Sequence, residues 1–370
     1  MTEYKYQVVY SWIQDRINDR TYKFGQKLPS ENFLCQKFAV SRQSVRKAYD
    51  ILVSEGYVYS IHGSGYFVKK EVEQSGNKTI GIVMSYLADH MFPNILMGIE
   101  EVLLENGYGM HLGITENCFS RERKCLELVE RDGIAGLIVE GTKSALPNPN
   151  LKYYQNFLDL GVPVVFIHNY YPELNVPSVL MDDINCSKEL TQLMIQAGHT
   201  IIGGAFKYDD LQGHRRFQGY IEAMNEAGIP IIDDNIRWFY SRKELWTQNR
   251  YGISFEDPTK NGVTGFLFYN DMLAAEFYQI AKEIGLKIPK ELSVVALDDQ
   301  NVQLDDGLYL TTARHPRKKL GIKAAEVLLQ IIEGNRSLNS KEKIIVPTKI
   351  IERDSVLPAI ANETEHIIRR

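Results

Sequence analysis

The sequence predicts a multidomain chain, with a small α+β domain of three helices and a hairpin ahead of a two-lobed α/β domain. Three observations carry that expectation. Residues 1–70 hold eleven Lys/Arg against six Asp/Glu, a surplus of +5, whereas the whole chain stands at −5, so the remaining three hundred residues carry −10. Apolar side chains recur at helical spacing up to Gly56, but beyond Thr79 short apolar runs alternate with amphipathic helices. Between the two patterns, residues 71–78 have Val72 as their only apolar side chain and read as a linker. A chain of 370 residues, 44% hydrophobic and 24% charged, has material for two or three domains with a substantial core.

In the first domain, expected over 1–70, residues 4–20 place Val8, Val9, Trp12, Ile13 and Ile17 on one helical face. Residues 24–29 form a turn. Ser30 can cap a second helix whose apolar face is Phe33, Leu34 and Phe38. Ala39-Val40 supplies a tight turn, Ser41 caps a third helix, and Gly56 ends it. That third helix should bury Val45, Ala48, Tyr49 and Leu52 and leave Arg42, Gln43, Ser44, Arg46 and Lys47 at its start and on its solvent side. Residues 57–61 and 66–69 then pair as a hairpin around the glycine turn at 62–65. Three helices and a hairpin make a winged helix-turn-helix, a layout that presents one helix to a DNA major groove. Basic residues on a solvated helix also serve solubility, so the helix pair alone does not decide the matter.

The run Gly25-Gln26-Lys27-Leu28-Pro29-Ser30-Glu31, the run from Phe38 to Ala48, and Gly63-Ser64-Gly65-Tyr66-Phe67-Val68 resemble the DNA-binding domain of gluconate-repressor-type bacterial transcription factors. The resemblance covers residues 4–69. It implies that Arg42 and Arg46 are the principal base or phosphate contacts, assisted by Ser41, Gln43 and Ser44, with Glu31 orienting or reading a base. Lys5 would hold the backbone near the first helix, and His62, Gly63, Ser64 and Gly65 would form the wing tip. The chemistry is compatible, since arginine forks guanine O6/N7 or phosphate and glutamine pairs with adenine. The competing reading of either arginine is a salt bridge with Asp50 or another acid.

From Thr79 the pattern predicts strands at 80–84, 107–112, 134–140 and 162–167, with helices at 95–105, 125–131 and 153–160 between them. A second series opens at 179–181 and continues with helices at 185–197, 215–227 and 272–284 and strands at 201–205, 265–269 and 292–297. A helix at 317–333 follows Pro316, and 343–351 reads as one last strand before a polar tail at 354–370. Residues 239–260 show no regular pattern. Near-continuous apolar strands alternating with helices argue parallel sheets covered on both faces, and two such lobes leave a cleft at the carboxyl ends of their strands.

Ile80-Gly81-Ile82-Val83, Gly136-Leu137-Ile138, Asp182-Asp183, Gly198-His199, Arg216 with Gly219-Tyr220, Asn270-Asp271, Asp298-Asp299 and Thr311-Thr312 follow in an order that resembles the effector domain of the lactose and galactose repressor family. That family is itself similar to periplasmic sugar-binding proteins, and the resemblance covers 79–353. By position in its pattern, the effector contacts are expected to be Tyr86, His90, Glu140, His168 with Asn169, Lys207, Asp209, Arg216, Asn270 and Asp298, and one of Asp182-Asp183, taken as Asp183. Arginine can donate two hydrogen bonds in a fixed fork and a carboxylate can accept two from adjacent hydroxyls. Tyr86 and His168 also read as satisfied wall residues, and Lys207 as a solvated loop charge.

No Gly-x-Ser-x-Gly elbow, phosphate-binding glycine loop with lysine, His-Glu-x-x-His pair or cysteine cluster occurs, so no catalytic residue, metal site or cofactor is expected. Cys35, Cys118, Cys125 and Cys186 are scattered and read as reduced thiols. No apolar targeting stretch or membrane-length segment is present, and the cytoplasm is the expected compartment. The fusion of these two domains is an arrangement found among bacterial repressors of sugar use. It implies a homodimer that holds operator DNA and is released by a small neutral sugar, L-arabinose being the first expectation. The alternatives are a different effector on the same architecture, such as another sugar, a phosphosugar, a purine or a peptide, and a sugar-binding protein that does not touch DNA.

Overall fold

The structure, a computed structural model, describes residues 5–18, 21–22, 25–61, 64–68, 78–87, 91–240, 257–300, 302–304 and 307–359. Two compact units divide the chain, Met1–Lys78 and Thr79–Arg370.

The first unit consists of α1 (Lys5–Asn18), α2 (Glu31–Phe38), α3 (Arg42–Ser54), β1 (Val58–Ile61) and β2 (Gly65–Val68). Ser30 and Ser41 cap α2 and α3, their hydroxyl oxygens accepting the Phe33 and Ser44 N–H groups at 3.3 and 3.2 Å. Ala39 takes the left-handed conformation, φ 52°, that makes the turn between them tight. The core is Val9, Ile13, Leu34, Val45, Ala48, Tyr49 and Leu52, closed by Val58 and Val68 of the antiparallel hairpin. Phe33, expected in the core, is 49% exposed. Adjacent helical positions point about 100° apart, and an eight-residue helix with one buried stripe takes in Leu34 but not its neighbour. The Lys37 ammonium lies 5.9 Å from the Phe33 ring and 5.1 Å from that of Trp12, covering both from above.

The second unit has two lobes, each built on a six-stranded sheet. Its first lobe is laid down by β3 (Thr79–Met84), α4 (Phe92–Glu105), β4 (Gly109–Ile114), α5 (Phe119–Asp132), β5 (Gly136–Val139), α6 (Leu151–Asp159), β6 (Val164–Ile167) and β7 (Ser178–Met181). The second follows with α7 (Asp183–Gln196), β8 (Ile202–Lys207), α8 (Leu211–Glu226), β9 (Ile236–Phe239), β10 (Gly265–Phe268), α9 (Asp271–Glu283), β11 (Ser293–Asp298) and β12 (Thr311–Arg314). The chain then returns through α10 (Arg317–Ile332), β13 (Lys343–Val346) and β14 (Ile350–Ile351). Strand orders are β13-β7-β6-β5-β3-β4 and β14-β12-β11-β10-β8-β9, parallel throughout except where β14 meets β12.

Two expectations are corrected here. Residues 179–181 do not open the second lobe: β7 pairs with β6 and β13 and completes the first sheet. The single strand expected at 343–351 is two strands in different sheets, because Pro347 has no N–H to continue a ladder. Among the described residues the chain therefore crosses between lobes three times, after β7, after β12 and after β13. Helix α10 belongs to the first lobe, where it crosses α4 at glycines. A Cβ on Gly321 would lie 2.1 Å from the Ile95 carbonyl oxygen, and one on Gly98 2.3 Å from that of Lys318.

The tail expected from 354 onward packs on the second lobe as far as residue 359. Ser355, fully buried, donates to the Val294 carbonyl at 2.6 Å and accepts the Thr311 N–H at 2.8 Å. His199 Nε2 lies 3.0 Å from the Leu357 carbonyl oxygen, and the Ala359 N–H reaches Ala197 O at 2.8 Å. Ser355→Ala strands a buried N–H and a carbonyl, so urea unfolding should show a loss of about 2 kcal/mol; an unchanged midpoint would mean that the tail contributes nothing.

Candidate functional site

The carboxyl ends of the strands in both lobes carry the polar side chains. Arg216, in the second turn of α8, is 1% exposed. Its Nε donates to Asp183 Oδ1 and its Nη2 to Asp298 Oδ1, each at 2.9 Å, while Nη1 donates to the Tyr269 carbonyl oxygen. The guanidinium also lies 4.5 Å from the centroid of the Tyr269 ring. Burial opposes the arginine charge, but Asp298 and Asp183 outweigh it and hold the pKa well above its ordinary value. Burial raises the pKa of Asp183, and Arg216 offsets only part of that rise. Asp183 is positioned as the first residue of α7, whose N-terminus Asp182 caps. Asp298 ends β11 in a left-handed conformation, φ 100°, which an L-residue adopts only under constraint.

A second group comes from the first lobe. Glu140 accepts the Ser85 N–H at 2.8 Å through Oε2, and its Oε1 lies 2.8 Å from His168 Nδ1. His168 is fully buried and also left-handed, φ 63°. Burial works to lower its pKa, but the hydrogen bond and charge of Glu140 outweigh that and raise it. Its ring meets that of His315 edge to face at 5.0 Å. Burial, together with the charges of His168, Arg216 and Arg317, holds His315 well below its ordinary pKa.

The third group joins the lobes. Lys207 Nζ lies 3.5 Å from Asp210 Oδ2, and Asp210 Oδ1 accepts from Ser144 Oγ at 2.8 Å and Asn169 Nδ2 at 3.4 Å. Asn117 Nδ2 donates to Asp209 Oδ2 at 3.4 Å, and Ser144 Oγ accepts the Leu211 N–H at 3.0 Å. Ser144, Asn169 and Asn117 belong to the first lobe and Asp209, Asp210 and Leu211 to the second, so these bonds hold the cleft closed. Burial opposes the Lys207 charge, but Asp210 leads the acids that keep its pKa well above normal. Five carboxylates, Glu140, Asp183, Asp209, Asp210 and Asp298, thus face Lys207, Arg216 and His168. Such a cleft disfavours an anion and offers both donors and acceptors to hydroxyl groups.

On the first unit, Glu31 gathers the two arginines of α3. Arg46 Nε donates to both of its oxygens, at 3.0 and 3.2 Å, and Arg42 Nε lies 3.6 Å from Oε2. Arg42 Nη2 also donates to Asn32 Oδ1 at 2.7 Å. The arginine side chains are about 60% exposed against 20% for Glu31, so their forks stay accessible while the acid beneath fixes them. Ser41 and Ser44 hydroxyls lie 2.9 Å apart at the start of the same helix.

Comparison with known proteins agrees with both units. Residues 5–68 match the model of bacterial regulatory proteins of the gntR family, and residues 191–356 match a periplasmic binding protein-like domain. The chain is 39% identical to an arabinose metabolism transcriptional repressor of Geobacillus stearothermophilus, over 94% of this chain and 95% of that protein. The chain belongs to the family of arabinose metabolism transcriptional repressors. A second member, from Halalkalibacterium halodurans, is 36% identical over 96% of this chain and 98% of its own length. The fold of the crystal structure of transcription regulator CcpA of Lactococcus lactis is similar, with TM-score 0.64 at 19% identity, covering 75% of this chain and 98% of that one.

In this arabinose-repressor family member, Glu140, His168, Asp183, Lys207, Asp209, Arg216 and Asp298 converge on the cleft. Tyr86 follows β3 and packs on the core of the first lobe. Asn270 caps α9, its Oδ1 accepting the Leu273 N–H at 2.9 Å. Lys5 and Gln43 are exposed, and the Ser64 N–H donates to Ile61 O at 2.9 Å beside Gly65. His62, Gly63 and His90 lie outside the described residues. Sequence reasoning missed Asn117, Ser144, Asp210, Tyr269, Asp271 and His315. An Asp just before the run from Leu211 is a helix-cap signal that could have found Asp210 and moved the predicted helix start from 215 to Leu211. Asp271, buried against the Thr312 hydroxyl at 2.7 Å, has its pKa pushed up to about 7 by burial.

Proposed function

We propose that this chain is a homodimeric repressor that holds operator DNA through the winged helix-turn-helix and is released when L-arabinose binds between the lobes of the second unit. The observation that carries the ligand class is the cleft around Arg216, where buried acids outnumber bases and the Arg216 guanidinium is already committed to Asp183 and Asp298. That chemistry favours a neutral polyol, and the names of the two relatives point to arabinose among them. Glu140, His168, Asp183, Lys207, Asp209, Arg216, Asn270 and Asp298 would contact the sugar, as would Tyr86 and His90. Arg42 and Arg46 would read or grip DNA, assisted by Ser41, Gln43, Ser44 and the wing at 62–65, with Lys5 on the backbone. The chain needs no cofactor and performs no chemistry of its own; it works in the cytoplasm, where its DNA is. Among the described residues no helix is long and apolar enough to cross a membrane.

Homodimerisation is supported by α4 and β4, where Met97, Leu104 and Met110 are exposed beside an edge of the first sheet that no other strand covers among the described residues. A two-fold dimer matches two operator half-sites, and lobe closure changes the spacing of its heads. To reverse a 99:1 population the sugar must prefer one state by about ten-thousand-fold. The test is fluorescence anisotropy of a labelled operator at fixed salt, because phosphate contacts make affinity steeply salt-dependent. Two chains should bind each duplex and L-arabinose alone of a sugar panel should release them. Release by a different sugar would keep the switch and change its ligand, and the absence of specific binding would remove the DNA role.

A further inference from the structure

A pocket of about 650 Å³ opens at the hinge of the second unit, walled by two of the three crossovers between lobes. Arg314, Arg317, Lys318, Lys319 and Lys349 line it, a concentration of positive charge on a domain whose sequence is acidic. Three of these cations, Arg317-Lys318-Lys319, occupy the first turn of α10, whose N-terminus has no acidic residue and no side-chain cap. Cations at the positive end of a helix dipole are unfavourably placed, and an anion there is favourably placed.

The acids close by are already committed. Arg314 pairs with Asp299 at 2.8 Å, and Asp299 also carries Arg353 at 2.7 Å. Lys318 pairs with Glu101 at 2.5 Å, and Arg317 Nη2 spans to the carbonyl oxygens of Asp298 and Asp299 at 2.7 Å each. That leaves Lys319 and Lys349 with no acidic partner among the described residues. Two buried groups are unpartnered as well. The Arg317 Nε has no hydrogen bond, and His315, 4% exposed and part of the pocket wall, has none at either ring nitrogen. A buried imidazole without partners costs stability unless something supplies them.

We propose that the hinge pocket is a second effector site, which takes the phosphate monoester of a small metabolite. The dianion lies at the α10 N-terminus between Lys319, Lys349 and the arginines, and the organic part fills the remaining volume. The volume is that of a small-molecule site rather than of a single ion. The sugar cleft is the opposite in charge, and its acids exclude the same ligand. His315 is common to both walls, since its ring packs on His168 of the cleft while lining the pocket. The crossovers are also tied together here, the Arg314 N–H donating to Lys349 O at 2.9 Å and the Thr348 hydroxyl donating to Arg314 O. A ligand that spans them meets different surroundings when the lobes open, which couples it to the cleft by linkage.

The test is isothermal titration of the full chain at constant ionic strength with glucose 6-phosphate, inorganic phosphate and glucose, followed by L-arabinose. Glucose 6-phosphate should bind, inorganic phosphate more weakly, and glucose not at all. The double variant Lys319→Ala/Lys349→Ala should bind glucose 6-phosphate at least tenfold more weakly, with its unfolding curve unchanged. Absence of glucose 6-phosphate binding, equal binding of glucose, or binding indifferent to the two lysines overturns the proposal. The reading of the cleft stands or falls separately: lysine-dependent binding of glucose 6-phosphate alongside no response to L-arabinose would support the hinge site and sink the sugar assignment.

Discussion

Replacing Arg216 with methionine is expected to destabilise the second unit by about 3–5 kcal/mol and to abolish L-arabinose binding, while the first unit keeps its affinity for operator. The side chain is buried between Asp183 and Asp298 at 2.9 Å from each, so its loss leaves two carboxylates in a dry site without the cation that pairs them directly. The effect should depend on pH in a defined direction. Burial already raises the Asp183 pKa in the native state, with Arg216 the chief opposing influence, so the variant carries that pKa higher still. A native carboxyl that holds its proton above the unfolded pKa stabilises at low pH and loses that contribution as pH rises through the folded value. The deficit relative to the parent should therefore be largest at neutral pH and shrink on acidification. Urea unfolding at several pH values, followed by circular dichroism, gives the first quantity, and calorimetric titration with L-arabinose on the cold, folded variant gives the second. A variant as stable as the parent that still binds the sugar would show that the ion triad supports neither fold nor ligand.

The same triad explains how the cleft can be both rigid and responsive. Arg216 ties α8 to the start of α7 and the end of β11, all within the second lobe, and so presents that half of the site preformed. The bonds from Ser144, Asn117 and Asn169 to Asp209 and Asp210 are of another kind. They cross between lobes, most involve a single donor near 3.4 Å, and breaking them leaves groups that water can satisfy as the cleft opens. A sugar that replaces or reinforces those bonds stabilises the closed form alone, which is the differential affinity a switch requires.

How much of this the sequence disclosed varies with the range of the interaction. Helix α3 was fully legible, because Val45, Ala48, Tyr49 and Leu52 recur at helical spacing and those four are its buried residues. Phe33 was not, since burial of an aromatic on a two-turn helix depends on which neighbours reach it. The strand-helix alternation gave two parallel lobes. It did not reveal that β7 and β13 belong to the first sheet, because their pairing joins residues 165 apart, as Ser178 with Lys343, and leaves no local period. In the cleft, Arg216 and Asp298 were found through the family pattern, but that pattern gives no bond between them. Ser144 and His315 escaped because they lie in connections without periodicity, and their roles come from residues of the other lobe or the hinge.

Arg46→Ala should reduce affinity for operator by about 10–100-fold, as the loss of one good bidentate contact does, and leave L-arabinose binding unchanged. Glu31 holds the Arg46 guanidinium through two oxygens yet leaves the side chain 61% exposed. An arginine held in place before binding loses less rotamer freedom on meeting DNA. The nature of the contact can be read from salt. If Arg46 grips phosphate, the variant weakens on every sequence alike and the slope of log affinity against log salt falls by about one; if it reads a base, the loss is confined to operator and one position relaxes. Glu31→Ala separates positioning from charge. Removing the acid leaves Arg42 and Arg46 without it and takes one negative charge from the face, so non-specific binding should tighten while the preference for operator narrows. Unchanged operator affinity in Arg46→Ala would remove this arginine from the interface, and an undiminished preference in Glu31→Ala would show that the ion pair orients nothing.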